Sequence, residues 1–103
     1  MNFRSSVFVL LAFSSLCAHA ADEMALARSR NCLACHAADK RVLGPSFKEI
    51  GERYAGRPGV EARLAEKILK GGAGVWGVVP MPANPQVSAE EAGRLAAWIA
   101  TPR

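Results

Sequence analysis

The stretch Cys32-Leu33-Ala34-Cys35-His36 is the most informative part of this sequence. Two cysteines separated by two residues and followed at once by a histidine form the C-x-x-C-H pattern of covalent haem attachment. The two thiols can form thioethers with the vinyl groups of haem, and the histidine nitrogen can bind the iron. The pattern therefore predicts one haem c as the cofactor, with Cys32 and Cys35 as its anchors and His36 as an iron ligand.

The first twenty residues are typical of a secretory signal peptide. Arg4 precedes a compact apolar run over residues 7–13, and Ala18-His19-Ala20 places small residues where signal peptidase requires them. We therefore expect cleavage after Ala20 and export to the periplasm. A membrane anchor is one alternative, but the apolar run is much shorter than the roughly 20 residues that span a bilayer. A lipid anchor on Cys17 is another, although the leucine usual three residues before such a cysteine is missing.

Removal of residues 1–20 would leave one small domain, residues 21–103, with a different net charge and fewer cysteines and histidines. The loss of Arg4 lowers the net charge from +4 to +3, and both remaining cysteines and the remaining histidine lie within Cys32–His36. Without a dense basic tract, this charge argues against nucleic-acid binding. It is compatible with transient docking on an acidic protein, or with a basic surface that has no special partner. A chain of this size often needs an additional stabilising element, such as a disulfide, a metal or a cofactor. We therefore expect the haem-free chain to be largely unfolded.

Short helices joined by loops account for most of the remaining sequence, and no strand-like alternation is long enough to form a sheet. The sequence therefore predicts an all-α fold. The expected helices run from Asp22 to about Arg30, over residues 47–54, along the stripe Val60, Leu64 and Ile68 to Gly71-Gly72, and from a capping box at Ser88–Glu91 to Pro102. The inner face of the last helix is expected to contain Ala92, Leu95, Ala96 and Ile99, with Trp98 beside them.

The loop GGAGVWGVVPMPANPQV, residues 71–87, is unusually apolar. Loops are normally polar, so this one is expected to cover an apolar surface. Met81 lies between Pro80 and Pro82, which restrict the local backbone, and its thioether is a soft ligand suited to haem iron. We predict that Met81 is the second iron ligand; the alternative is that it fills a gap in the core. Met24, the only competitor, is interpreted as a packing or surface residue.

An iron bound by both His36 and Met81 has no open position, which favours a one-electron carrier over an enzyme. The residues leave three alternatives to consider. A dithiol–disulfide oxidoreductase would place C-x-x-C near a βαβ pattern, which is absent. A structural zinc site usually needs four ligands, and residues 21–103 offer three Cys and His side chains. A haem-based sensor or small peroxidase-type haem protein, with Met81 displaceable, is the third.

Several segments resemble the small bacterial class I cytochromes c, especially the monohaem type that donates electrons to periplasmic nitrite reductase. The resemblance spans about Asp22 to Arg103 and rests on NCLACHA, LGPSFKEI, GGAGVWGVVPMPAN and the last helix with Trp98. It implies a cytochrome c fold, with four or so short helices packed around one covalently attached haem. It also implies a periplasmic monomer that carries electrons in respiration or denitrification, with His36 as the proximal iron ligand and Met81 as the distal one.

The resemblance implies further roles around the haem. Pro45 would offer its carbonyl to the ring of His36, Trp76 would donate its indole N–H to a haem propionate, and Asn84 would hydrogen-bond near the Met81 sulfur. Lys67 stands where the family often has an arginine near the propionates, and a lysine lacks the bidentate fork of arginine. Redox partners would be proteins such as a nitrite reductase, a terminal oxidase, a peroxidase or a membrane cytochrome complex. The basic residues expected to contribute to docking are Lys40, Arg41, Lys48, Lys67 and Lys70.

Overall fold

A computed structural model describes residues 15–101 of the chain, with side chains from Ala20 onward. Four α-helices follow one another: α1 (Ser15–Ser29), α2 (Phe47–Tyr54), α3 (Val60–Lys70) and α4 (Ala89–Ala100). A short 3-10 helix, Cys32–Ala34, lies between α1 and α2. Over residues 15–101 the backbone forms no strand, only two isolated bridges, His36 with Arg41 and Gly72 with Met81. The predicted all-α fold is confirmed.

Helices α2 and α4 begin with the same local structure. In each, a serine side chain caps the helix and a glutamate three residues later bonds back to the serine N–H. At α2, the Glu49 N–H donates to Ser46 Oγ at 3.0 Å and the Ser46 N–H donates to Glu49 Oε2 at 2.8 Å. This capping box satisfies two N–H groups that would otherwise lack partners. The box at Ser88–Glu91 was predicted from the sequence, and the bounds of α2 agree with the prediction.

The start of α1 differs from the prediction. The helix begins at Ser15 rather than Asp22, so Asp22 and Glu23 lie beyond its first turn. Alanine and leucine favour helix, and neither glycine nor proline interrupts residues 15–29, so the helix continues across the predicted cleavage position after Ala20. The rest of the predicted signal peptide, residues 1–14, lies outside the described residues, as does Pro102. Along the described helices, no segment is long and apolar enough to cross a membrane.

Helix α4 is the centre of the packing, because it contacts α1, α2 and α3. Its predicted inner face is buried as expected, with two small alanines beside Leu95 and Ile99. The close approach of α2 to the end of α4 occurs at Gly51, where a Cβ atom would lie 2.7 Å from the carbonyl oxygen of Ile99. The other buried apolar residues of the core are Ala27, Phe47, Ile50, Ile68 and Val87.

Two ion pairs join α1 and the segment after it to α4. Arg94 Nη2 lies 2.5 Å from Glu23 Oε1, and Arg30 Nη2 lies 2.7 Å from Glu91 Oε2. The hydrogen bond from Arg30, together with the backbone N–H of Ser88, lowers the pKa of Glu91 to about 2. These pairs fix the orientation of the segment that leads directly into Cys32–His36.

Candidate functional site

A cavity of about 760 Å³ lies between α2, α3 and the loop that follows α3. This volume falls within the roughly 300–1,000 Å³ of typical ligand and cofactor sites. Cys35, His36 and Met81 line it. A smaller apolar cavity of about 60 Å³ shares His36 and Met81 with the larger one and is also lined by Cys32. The fold therefore gathers all four predicted site residues around one region.

The cysteines lie on a tight backbone turn. Asn31 adopts a left-handed conformation with φ of 67° and the 3-10 helix Cys32–Ala34 follows it. The N–H groups of Cys35 and His36 both donate to the carbonyl oxygen of Cys32, at 3.2 and 3.0 Å. Both thiols are free, and burial raises the pKa of the Cys32 thiol. The C-x-x-C-H spacing alone does not predict this 3-10 turn.

The imidazole of His36 is held in one orientation. Its Nδ1 atom lies 2.6 Å from the carbonyl oxygen of Pro45, and its ring stacks on Phe47 with centroids 5.5 Å apart. Because a carbonyl oxygen only accepts hydrogen bonds, Nδ1 carries a proton and donates it, so in the neutral ring the lone pair is on Nε2. A metal-binding histidine usually has this arrangement, in which the second ring nitrogen is fixed by a hydrogen bond. The expected contact with Pro45 is confirmed.

Met81 lies at the end of a closed loop, residues 72–81, which we call the methionine loop. Two hydrogen bonds join its ends: the Gly72 N–H donates to the Met81 carbonyl at 2.9 Å, and the Met81 N–H donates to the Gly72 carbonyl at 2.7 Å. Gly71, with φ of 73°, packs directly against the carbonyl oxygen of Met81. Met24 packs against the core and lines neither cavity, which agrees with its interpretation as a packing residue.

Three further residues were expected near the haem. Trp76 lines the large cavity and Lys67 lines both cavities. Asn84 differs from the expectation: its Nδ2 atom donates to the carbonyl of Ile68 at 2.8 Å and more weakly to that of Pro82 at 3.4 Å. Its amide therefore ties the chain after the methionine loop to α3.

The basic residues expected at a docking surface separate into two groups. Arg41, Lys67 and Lys70 line the large cavity, whereas Lys40 and Lys48 are exposed elsewhere. Among the described side chains, no group of three or more His, Cys, Asp or Glu residues could hold a metal ion.

The residues present fit a covalently attached haem. Two free thiols can form the thioethers, the Nε2 lone pair of His36 and the thioether of Met81 are both suitable iron ligands, and much of the lining is apolar. Two of the apolar residues in the lining, Leu43 and Val79, are both 59% exposed to solvent. Such exposed valine and leucine side chains are suited to cover an apolar ring system.

Comparisons with known proteins agree with this chemistry. A sequence model of the family "Cytochrome c" matches residues 24–102. The chain is 48% identical over 84 residues to cytochrome c2 of Rhodocyclus tenuis, a match covering 77% of this chain and 90% of the relative. It is 44% identical over 93 residues to cytochrome c-551 of Pseudomonas aeruginosa, covering 87% of this chain and 88% of that protein.

A solved structure is also similar. The crystal structure of wild-type Nitrosomonas europaea cytochrome c552 superposes with a TM-score of 0.75 and 44% identity, covering 78% of this chain and 99% of that one. The chain belongs to the cytochrome c family, as a small class I c-type cytochrome with one covalently attached haem c.

Proposed function

We propose that this cytochrome is a periplasmic one-electron carrier in which Cys32 and Cys35 anchor the haem and His36 and Met81 are its two axial iron ligands. The observation that carries the proposal is that His36 and Met81 line the same two cavities. The hydrogen bond from Nδ1 to Pro45 supports the role of His36, because it leaves Nε2 as the only ring nitrogen able to bind a metal.

The chain's residues suit electron transfer rather than catalysis. Bound haem supplies an iron that alternates between the ferrous and ferric states. The thioether of Met81, as a soft donor, favours the ferrous state and raises the reduction potential. If His36 and Met81 both hold the iron, no position is left on it for a substrate, so we propose no enzymatic activity.

The location and partners follow from the sequence. The predicted signal peptide, residues 1–20, supports export to the periplasm. We propose that a redox protein docks transiently where the cavity opens, near Arg41, Lys67 and Lys70, which line it. Nitrite reductase, a terminal oxidase, a peroxidase and a membrane cytochrome complex are the candidate partners, and the carrier acts as a monomer.

The proposal is tested with Met81→Ala, using Met24→Ala as the matched control. We expect Met81→Ala to lower the reduction potential and to let the ferrous protein bind carbon monoxide rapidly. Met24→Ala should leave both properties as in the unmodified protein, because Met24 lines neither cavity. Rapid carbon monoxide binding by the unmodified protein at neutral pH would instead favour the haem-based sensor or peroxidase-type alternative, in which Met81 is displaceable.

A further inference from the structure

Two arginines hold the backbone of the methionine loop at consecutive carbonyl groups. Arg53 Nη1 donates to the carbonyl oxygen of Val75 at 3.1 Å, and Arg41 Nη2 donates to that of Trp76 at 2.6 Å. Hydrogen bonds from a charged donor contribute more than those between neutral groups. The loop is therefore held at its middle by two cations, as well as at its base by the pair Gly72 and Met81.

Arg53 makes a second contact with the same loop. Its guanidinium carbon lies 4.5 Å from the centre of the Trp76 ring, well within the roughly 6 Å of a cation–π interaction. Trp76 is half-buried and lines the large cavity. Arg53 thus holds both the backbone before Trp76 and the face of its indole, which fixes the position of this ring in the cavity wall.

Both arginines belong to the part of the chain that holds His36. Arg41 forms an isolated bridge with His36, and Arg53 lies on α2, whose first residue, Phe47, stacks on the His36 ring. The segment that fixes the histidine is therefore linked directly, through two arginine side chains, to the loop that ends at Met81. Each link joins residues far apart in sequence, 35 positions for Arg41 and 22 for Arg53.

We propose that Arg41 and Arg53 are positioning residues that couple the methionine loop to the histidine side of the cavity, and that Arg53 also raises the reduction potential. This inference rests on the proposed function, in which Met81 binds the iron. Arginine contacts that steady the loop hold the thioether in its ligand position. A fixed cation beside the cavity wall disfavours the ferric state, which carries one more positive charge than the ferrous state.

The test uses the haem-loaded protein and the variants Arg41→Gln, Arg53→Gln and Arg53→Lys. The matched control is Arg57→Gln, because Arg57 lies 5.6 Å over the Tyr54 ring, as Arg53 also does at 6.0 Å, and has no contact with the loop. Two quantities are measured: the reduction potential, and the rate at which added imidazole displaces Met81 from the ferric protein. Thermal unfolding of each variant checks that it is folded.

We expect Arg41→Gln and Arg53→Gln to speed imidazole binding about tenfold, as the loss of a charged hydrogen bond predicts, and Arg53→Gln also to lower the reduction potential. Arg53→Lys keeps the charge but loses the planar fork. It should therefore retain most of the potential while binding imidazole faster than the unmodified protein. Arg57→Gln should change both quantities least.

Two results would overturn the inference: imidazole rates for Arg41→Gln and Arg53→Gln equal to that of Arg57→Gln, or a potential for Arg53→Gln no lower than that of Arg57→Gln. Failure of the proposed function would look different. In that case the unmodified protein would itself bind imidazole and carbon monoxide rapidly, and Met81→Ala would change neither rate.

Discussion

The carbonyl oxygen of Pro45 lies 2.6 Å from Nδ1 of His36, and the glycine just before that proline packs against the same ring. A Cβ atom on Gly44 would lie 2.9 Å from Cε1 and 3.2 Å from Nδ1 of His36. Real Cβ atoms essentially never come within 3.0 Å of a neighbour, so a side chain at position 44 would push the imidazole. The close packing of Gly44 therefore helps to orient the histidine ring.

We predict that Gly44→Ala destabilises the haem-loaded protein by about 1–3 kcal/mol, the usual effect of overpacking, and perturbs the haem absorption and circular dichroism. The control is Gly93→Ala on the exposed side of α4, where a Cβ meets nothing within 4 Å. Helix propensity predicts that this control gains about 0.5–1 kcal/mol. Chemical unfolding monitored through the haem bands measures both. An unperturbed haem spectrum in Gly44→Ala would contradict the role of Gly44.

Gly71 supports the distal side of the cavity in the same way. Its φ is 73°, and it packs closely on the following segment. A Cβ atom on Gly71 would overlap the carbonyl oxygen of Met81 and would lie 2.7 Å from the Ala83 nitrogen. We predict that Gly71→Ala costs about 3 kcal/mol through strain and overpacking together. Because the contact is with Met81, the variant should also admit carbon monoxide to the ferrous iron.

Gly56→Ala separates these two effects, since Gly56 has nearly the same φ, 72°, and nothing within 4 Å of its Cβ position. Strain alone predicts a loss of about 1 kcal/mol and no change in carbon monoxide binding. If Gly71→Ala and Gly56→Ala behaved alike in both measurements, the close packing of Gly71 on Met81 would have no part in holding the ligand.

The sequence predicted best what depends on local pattern. Helices α2, α3 and α4 were found because their apolar residues recur at helical spacing, and each helix buries at least one residue of its predicted stripe. The four candidate site residues, which the structure brings to one region, were proposed because thiols, imidazole and thioether are uncommon and chemically distinctive. The start of α1 was wrong because acidic residues within a long run of helix formers do not by themselves begin a helix.

What the sequence left unpredicted depends on tertiary contacts. The contacts of Arg41 and Arg53 with the methionine loop join segments far apart in the chain, and no spacing rule indicates them. Asn84 was placed near the Met81 sulfur by resemblance, whereas the carbonyl of Ile68 at the end of α3 takes its hydrogen bond. That carbonyl is an acceptor left open by the end of the helix, and such acceptors are identified only when the fold brings a donor near.

The haem is expected to be necessary for folding. The buried core of the described residues is small and includes three alanines, while the cavity that His36 and Met81 line measures about 760 Å³. Without haem, the apolar lining of this cavity would face water, and a core of this size stabilises a chain only marginally. We therefore predict that a Cys32→Ala/Cys35→Ala variant expressed without haem attachment shows little helical circular dichroism. A native-like helical spectrum with a cooperative thermal transition would contradict this.

The ion pair between Arg30 and Glu91 predicts how stability depends on pH. The hydrogen bond from Arg30 lowers the pKa of Glu91 in the folded state to about 2, against 4.5 for the unperturbed group. A carboxylate with a lowered pKa stabilises the folded protein fully above its unfolded pKa, and this contribution disappears as the pH falls from about 4.5 to about 2. Glu91→Gln keeps a side chain able to accept the Ser88 N–H bond but removes the titration. We expect the variant to be less stable at pH 7 and to lose less stability than the unmodified protein between pH 4.5 and 2, in urea unfolding of the haem-loaded form.

Glu66→Gln is the control, because Glu66 pairs with Lys70 on the exposed surface of α3 and such pairs contribute little. Parallel pH profiles for Glu91→Gln and the unmodified protein would show that this pair does not stabilise the contact between the haem-binding segment and α4.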